Sequence, residues 1–582
     1  MKSCLLTIGL CLEIFFTANS QYYLQGEVKN EKGQLLSGIK INLSSKRNYT
    51  FSSGNSGLFG IASSLQIDTI TLSADGYETL RKAVETEKYQ VIVMKMLPAL
   101  ASTMKNKLAS KTINLTKEDN KLFSGLGESY SSLAENVFVD ANHYPETGFS
   151  LNIDRASYSN TRRFLVNQMR VPVDAVRIEE MLNYFDLRTN KTNNNHKNFT
   201  CNTILTSCPW NAASKLLFIN LTAPKINLDT IPSSNLVFLI DVSGSMERPN
   251  RLPLLQSAFK LLVENLRAKD SICIVTYGGG VNIRLYSTSG AEKEKINNII
   301  DSLYADGDTP GEGAIRTAYS IARRSFIKNG NNRIILATDG DFNVGQTSEK
   351  ELEDLISFER QSGIYLTCIG VGMGNYKDSK LEVLAKKGNG NFAYLDNINE
   401  AEKVLVTEFT KTVYAVANDA FLNVRFANDY VKEYRLIGFE NKKDAVADSS
   451  SVLEGGEIGS GHNTTAIFEI IPNKEMKDSS ATLANFTLQY HLPGDEKMIT
   501  QKFYAPCNLQ DFLTAPAPVR FAAAVAMFSS LIKQSKFVKY NYEDVKLIAQ
   551  HAADANNISQ QEFILLIQKA DKLYNYSKKK RR

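Results

Sequence analysis

The sequence predicts a multidomain protein with a doubly wound, mostly parallel α/β sheet at its centre, β-rich flanks and helices at the C-terminal end. Three observations carry this expectation. The 582 residues exceed what one hydrophobic core organises, so three or four domains are expected. Between about 234 and 411, apolar runs of strand length alternate with stretches of helical period, the pattern of crossover units. On both sides of that region, segments of alternating polarity are broken by turn residues, as in antiparallel strands. Composition is globular, with 43% apolar and 22% charged residues, which excludes a disordered chain and a polytopic membrane protein. The net charge of +5 equals that of the KKKRR sequence at 578–582, so the rest is near neutral and nothing points to nucleic acid.

Taken in order, residues 1–20 read as a secretory signal. Lys2 precedes an apolar stretch from Cys4 to Phe16, and Ala18-Asn19-Ser20 stands before Gln21. Leu10 before Cys11 argues against a lipoprotein box, and no later stretch is apolar enough to span a bilayer. An exported chain without a membrane span is expected. Residues 22–97 show short strands with turn signals about every ten residues, as in a small β-sandwich. Residues 98–135, rich in Lys, Ser, Asn and Thr, read as a linker. Residues 136–233 begin a new globular region, with a strand at 148–154 and two helices, the second burying Val176, Met181, Leu182 and Phe185.

In the central region, 234–411, Leu254, Leu255, Ala258, Leu261, Leu262 and Leu266 mark one helix, with Pro253 in its first turn. Ile315, Ala318, Ala322 and Phe326 mark another. Residues 412–506 return to strand-like alternation. Residues 507–582 are helical: Phe521, Ala524, Val525, Phe528, Leu531 and Ile532 form one stripe, a second helix spans about 542–553, and a third opens with a capping box from Ser559 to Glu562. Without the signal, five cysteines remain. Cys273 and Cys368 lie in apolar strands and read as buried hydrophobes, Cys201 and Cys208 are candidates to pair, and with Cys507 the odd total leaves at least one free thiol.

The chemistry is concentrated in NLVFLIDVSGSM, residues 235–246. Leu236 to Ile240 are all apolar, as in a strand buried on both faces, and the run stops at Asp241. An extended chain there places Asp241, Ser243 and Ser245 on one side, with Gly244 easing the turn. One carboxylate and two hydroxyls suit a hard divalent cation, Mg2+ or Mn2+, and lack the sulfur and imidazole that favour zinc. Two later segments add oxygens: DGDTPGEG, with Thr309 ahead of a helix, and NRIILATDGDFN, a second apolar strand ending in Asp339. In open sheets of this type ligands sit at the carboxyl ends of the strands, where these segments fall.

The ordered trio Asp-x-Ser-x-Ser, Thr and Asp resembles the metal-ion-dependent adhesion site of von Willebrand factor type A (VWA) domains, and Asp241, Ser243, Ser245, Thr309 and Asp339 match with no position missing. The resemblance implies one bound Mg2+, aspartates that act partly through water, and a coordination position filled by a partner's Asp or Glu. Gly26, Val28, Gly33, Leu36, Gly38, Ile39, Ile41, Ser56, Gly57, Phe59, Ile61, Leu72, Ser73, Gly76 and Tyr77 together resemble the carboxypeptidase regulatory-like, transthyretin-type domain that fronts many exported bacterial proteins. That implies a spacer or binding module. The block 136–233 with CPWN at 208–211, and GEIGSGHNTTAIFEI at 456–470, resemble the regions flanking the VWA domain in a family of exported bacterial proteins. The implied fold is a VWA domain inserted in a second β-sandwich. Where that family reads Asp-x-Asp-Thr-Ala-Ser-Tyr, this chain keeps Asp154 but has Asn152 and Arg155, two departures, so a second cation site is not implied.

An enzyme needs a nucleophile with a base, or an open metal with one. His143 and Glu146 form an HxxE, the zinc pair of metallocarboxypeptidases, but Pro145 sits within it and no catalytic domain follows. The expected function is therefore a non-enzymatic, Mg2+-dependent adhesion or scaffold protein, periplasmic or at the cell surface, that binds an acidic protein side chain. The alternative is an accessory or regulatory subunit of an envelope enzyme or transport complex. A zinc hydrolase using His143 is the third reading.

Overall fold

The structure, a computed structural model, describes residues 22–95 and 128–579, apart from 31–32, 34, 47–48, 55, 75–76, 129, 132, 190–197, 227–230, 308–310, 341–348, 374–375, 409–413, 440, 443–455, 475, 477–479, 494 and 496. The signal-like segment, most of the segment read as a linker, and Thr309 lie outside the described residues. The chain divides into two units, Met1–Asn106 and Lys107–Arg582. Among the described residues no helix is long and apolar enough to cross a membrane.

In the first unit, period-two alternation turns every second side chain inward. A three-stranded sheet (Leu58–Ser63, Tyr22–Asn30, Gln90–Met94) and a four-stranded sheet (Thr50–Ser52, Lys40–Leu43, Ile67–Ser73, Leu80–Glu85) share one core, in which Leu24, Val28, Ile41, Ile61, Leu72 and Ile92 meet.

The second unit opens earlier than the linker reading allows. Glu128 is already buried against Arg163, and Leu133–Ala134 pair with Asn441–Lys442. Helices α1 (Ala156–Val166) and α2 (Ile178–Asn183) follow, the latter behind a 3-10 turn at Val173–Ala175. The central sheet then runs in the order β3-β2-β1-β4-β5-β6, where β1 is Ser234–Asp241, β2 Ser271–Tyr277, β3 Val281–Ser289, β4 Asn331–Thr338, β5 Ile364–Val371 and β6 Phe392–Leu395. All neighbours are parallel except β3, which is antiparallel to β2. Helix α3 (Leu252–Glu264) covers one face, receiving Leu236, Phe238 and Ile240 of β1. Helices α5 (Gly311–Arg324), α6 (Glu349–Arg360) and α7 (Asp378–Lys387) cover the other, receiving Val237 and Leu239. Helix α4 (Lys293–Asp301) joins the α3 side, and α8 (Ile398–Glu402) follows β6. The chain winds from β1 to one side and returns to β4 on the other, so the switch point lies between β1 and β4.

Strands from before and after this domain interleave. One sheet orders Leu509–Gln510, Thr200–Ser207, Lys215–Thr222, Asn463–Pro472, Val431–Ile437 and Val139–Asp140; the other orders Glu146–Ser150, Ala415–Phe426, Thr482–His491 and Met498–Pro506. Phe149, Leu217, Ile219, Leu422, Phe468 and Phe486 form the core between them. The central domain is thus an excursion between Thr222 and Ala415, and both crossings bond to one turn. Gly461 N donates to Pro224 O, Ile226 N to Ser460 Oγ and Ser460 N to Tyr414 O, each at 2.9 Å. The chain ends in α9 (Ala517–Lys533), α10 (Tyr542–Ala552) and α11 (Ile558–Lys579), whose Phe521, Phe528 and Phe563 pack with Tyr158 and Phe185 of the α1–α2 block.

Several expectations need correction. Helix α5 stops at Arg324, so Phe326 leaves the buried face and is exposed. The cap of α11 is Asn557, whose Oδ1 accepts from Gln560 N at 3.2 Å; Ser559 lies inside the helix, and Glu562 pairs with Arg162. A capping box does occur, at Asn541 and Asp544 of α10. All five described cysteines are free. Cys201 and Cys208 cannot pair because the seven steps between them run along one strand, which at about 3.3 Å each is roughly 23 Å.

Candidate metal centre

The site is built where three loops meet at the carboxyl ends of the strands. Val242 N donates to Tyr277 O at 2.8 Å, Asp306 N to Val242 O at 2.7 Å and Gly244 N to Gly307 O at 3.0 Å. These contacts are backbone to backbone, and two glycines make them achievable. A Cβ on Gly278 would fall 2.7 Å from Val242 O, and one on Gly307, at φ +75°, 2.3 Å from Gly279 Cα. The resulting rim carries no side chains at those points.

Asp241, fully buried, is held at both oxygens: Ser243 N donates to Oδ1 at 2.9 Å and Thr338 Oγ1 to Oδ2 at 2.8 Å. Ser245 is reached differently from the expectation. The chain is extended only as far as Ser243 and then coils into a 3-10 turn, Gly244–Glu247, with φ unremarkable at Gly244. That turn brings Ser245 Oγ to 3.3 Å from Ser243 Oγ and lets it donate to Asp339 Oδ2 at 2.9 Å. Asp241, Ser243 and Asp339 are buried, while Ser245 is exposed, so the cluster opens to solvent on the Ser245 side. Burial pushes the Asp241 carboxyl up to about 6 against the hydrogen bonds from Ser243 and Thr338, with repulsion from Asp339 adding to it.

Four of the five residues singled out by sequence are therefore together, and the loop bearing the fifth, Thr309, begins beside them at Gly307. Among the described residues no three His, Cys, Asp or Glu side chains converge as a metal cluster; the set here is two carboxylates with two hydroxyls. An all-oxygen set around a buried carboxylate whose charge is incompletely satisfied fits a hard divalent cation. His143 and Glu146 do not converge on one point: His143 Nδ1 lies 2.8 Å from Asp140 Oδ2, and Glu146 pairs with Arg425.

Sequence reasoning missed two members of the site. Thr338, which orients Asp241, is masked by the apolar run of β4. Arg251, nine-tenths buried, pairs with Asp339 across the mouth of α3, although an arginine ahead of a helix reads as solvated. The loops after β5 and β6, and the helices α7 and α8 that follow them, are gripped from outside the domain. Arg163 donates to Gly372 O at 3.3 Å, Arg177 pairs with Asp378 at 2.7 Å, and Arg162 pairs with Asp396 and Glu400.

Models of three families match the chain: von Willebrand factor over residues 125–218, the von Willebrand factor type A domain over 235–407, and the C-terminal region of uncharacterized protein YfbK over 411–573. Uncharacterized protein YfbK of Escherichia coli (strain K12) is 37% identical over 469 residues, which is 76% of this chain and 81% of that protein. The chain belongs to the YfbK family. The von Willebrand module within this YfbK-family chain supports a protein-interaction role. Human inter-alpha-trypsin inhibitor heavy chain H2 is 26% identical over 189 residues, 31% of this chain but 19% of that one. Among solved structures, von Willebrand factor type A from Catenulispora acidiphila aligns with a TM-score of 0.39 and 13% identity, covering 65% of this chain and 91% of that one. BatB from Bacteroides thetaiotaomicron aligns at 0.26 with 21% identity, covering 30% and 97%.

Proposed function

We propose that this YfbK-family chain is a metal-dependent protein-binding component of the bacterial envelope with no catalysis of its own. In this reading Asp241, Ser243, Ser245 and Asp339, joined by Thr309, hold Mg2+ or Mn2+. The ion supplies a Lewis-acidic point that accepts one oxygen from a partner's Asp or Glu. The chain's own residues prepare for it: Thr338 and Ser243 N fix Asp241, the 3-10 turn delivers Ser245 to the solvent side, and the glycine rim leaves room for a partner's backbone. The observation that carries the reading is the 2.9 Å approach of Ser245 Oγ to Asp339 Oδ2, which joins the β1 motif to β4 at the switch point. The signal-like residues 1–20 and the regulatory-like strands of the first unit support an exported protein.

Calorimetric titration of the chain with Mg2+ and Mn2+, beside Asp241→Ala, tests this. One ion bound by the wild type and lost in the variant is expected. Binding that survives the substitution would put the metal elsewhere.

A second reading, an accessory subunit of an enzyme or transport complex, draws on one relative. The magnesium-chelatase 67 kDa subunit of Chlorobaculum parvum is 25% identical over 233 residues, 35% of this chain and 37% of that one. Co-purification separates the two, since a stoichiometric envelope complex would favour the subunit.

A further inference from the structure

The candidate metal centre already contains a positive charge of the chain's own. Arg251, immediately before α3, donates from Nη1 to Asp339 Oδ2 at 2.5 Å and to Ser245 O at 2.6 Å, and from Nη2 to Met373 O at 2.9 Å. It therefore touches the loops after β1, β4 and β5 at once. Its side chain lies flat on Gly372, where φ is +80° and an added Cβ would stand 2.5 Å from Nε. Arginine at 251 and glycine at 372 thus fit as a pair, and the guanidinium sits in a shaped, buried seat.

We infer that Arg251 is a resident cation of the metal site, a positioning residue that holds Asp339 and sets how strongly the site takes a divalent ion. The inference rests on the metal reading above. Formal charges give its direction. Among the described residues Asp241 and Asp339 contribute two negative charges and Arg251 one positive, so these three groups present −1 to an arriving dication where the carboxylates alone would present −2. It must also share Asp339 with the guanidinium. Like charges held this close inside a protein repel strongly, so the arginine weakens metal binding. With a dication bound, these three groups and the ion sum to +1, a charge that a carboxylate from a partner would neutralise. A purely structural tie would behave otherwise, since it would depend on the hydrogen bonds and not on the charge.

The test is calorimetric titration of the full chain with MgCl2 for wild type, Arg251→Gln, which keeps an amide donor without the charge, and Arg251→Lys, which keeps the charge. Thermal melts in EDTA check folding. The expected result is Mg2+ binding at least about tenfold tighter in Arg251→Gln than in wild type, with Arg251→Lys within about threefold of wild type. Equal or weaker binding in Arg251→Gln, or the same gain in Arg251→Lys, overturns the inference and leaves the metal reading standing. If Arg251→Gln does not fold, Arg251→Met replaces it, and failure of both neutral variants to fold would make the residue structural and also overturn the inference. No Mg2+ binding by any of the folded proteins would overturn the metal reading and this inference with it. Binding by Arg251→Gln alone would support both.

Discussion

Asp154 shows what burial does to a single carboxyl in this chain. It accepts from Phe392 N at 2.7 Å but lies among Glu180, Glu382 and Lys386, and burial first, then repulsion from Glu180, pushes it up to about 7. An ordinary aspartate in the unfolded chain titrates near 3.9. Between about pH 4 and 7 the unfolded chain has released this proton while the folded chain keeps it, so stability falls as pH rises across that window and the cost is complete above pH 7. Asp154→Asn keeps an acceptor for Phe392 N and removes the titration. Its melting temperature is expected to gain on wild type between pH 5 and pH 8, and a gap that is the same at both pH values would refute the assignment. At the site itself, Gly278→Ala would force a Cβ onto Val242 O, and a loss of about 1–3 kcal/mol is expected from chemical denaturation. The convergence of Asp241, Ser243, Ser245 and Asp339 was legible, because two apolar strands that each stop at a carboxylate put their polar ends at one edge of a parallel sheet. Arg251 was not legible, since its burial depends on Gly372 more than a hundred positions away.

Single elements here are held chiefly by what they touch. Helices α1 and α2, of 11 and 6 residues, are too short to persist alone; α1 carries Arg162 and Arg163 into the central domain, and Arg177 stands at the N-cap of α2. Strand β4 carries a less expected tie. Arg333, with no exposed surface, donates to both oxygens of Glu457 at 2.6 and 2.7 Å and to Thr367 Oγ1 at 2.9 Å, linking the central sheet to the strand Gly456–Gly459. Removing one partner strands a buried charge, so Arg333→Met is expected to cost about 3–5 kcal/mol, and Arg333→Met with Glu457→Leu to recover much of it. Denaturant midpoints of the two variants decide this; equal losses would mean that the pair is not what couples the sheets. At α10, Asn541→Ala removes the acceptor of Glu543 N and Asp544 N and is expected to cost about 1 kcal/mol. The periods of α3, β1 and β4 in the central domain were readable, but caps were not. Asn557 and Ser559 are both good N-cap residues, and only the docking of α11 selects between them. The stripe on α9 was readable too, yet Ala522, Ala523 and Ala526 on its remaining surface are also buried, because the helix is surrounded and small side chains let its neighbours close in.

For the molecule as a whole, the decisive feature is that the central domain leaves and re-enters the sandwich at one turn. Pro224 and Tyr414 both bond within residues 460–461, so the ends of the excursion lie side by side, as they do in domains that fold alone. Residues 231–414 expressed separately are expected to melt cooperatively, with native-like circular dichroism; a fragment that does not would show that the grip of α1 and α2 is part of its fold. The interleaved strands also bear on the order in which the chain is made. The Lys215–Thr222 strand pairs with Asn463–Pro472, which follows it by about 240 residues. During synthesis the whole excursion and the strands after it are produced while that sheet edge waits, roughly twelve to fifty seconds at ordinary elongation rates. A self-sufficient domain emerging in that interval sequesters its own apolar residues, but the waiting edge does not. A nascent chain of this design therefore carries the unpaired side of the Lys215–Thr222 strand until its last strands arrive.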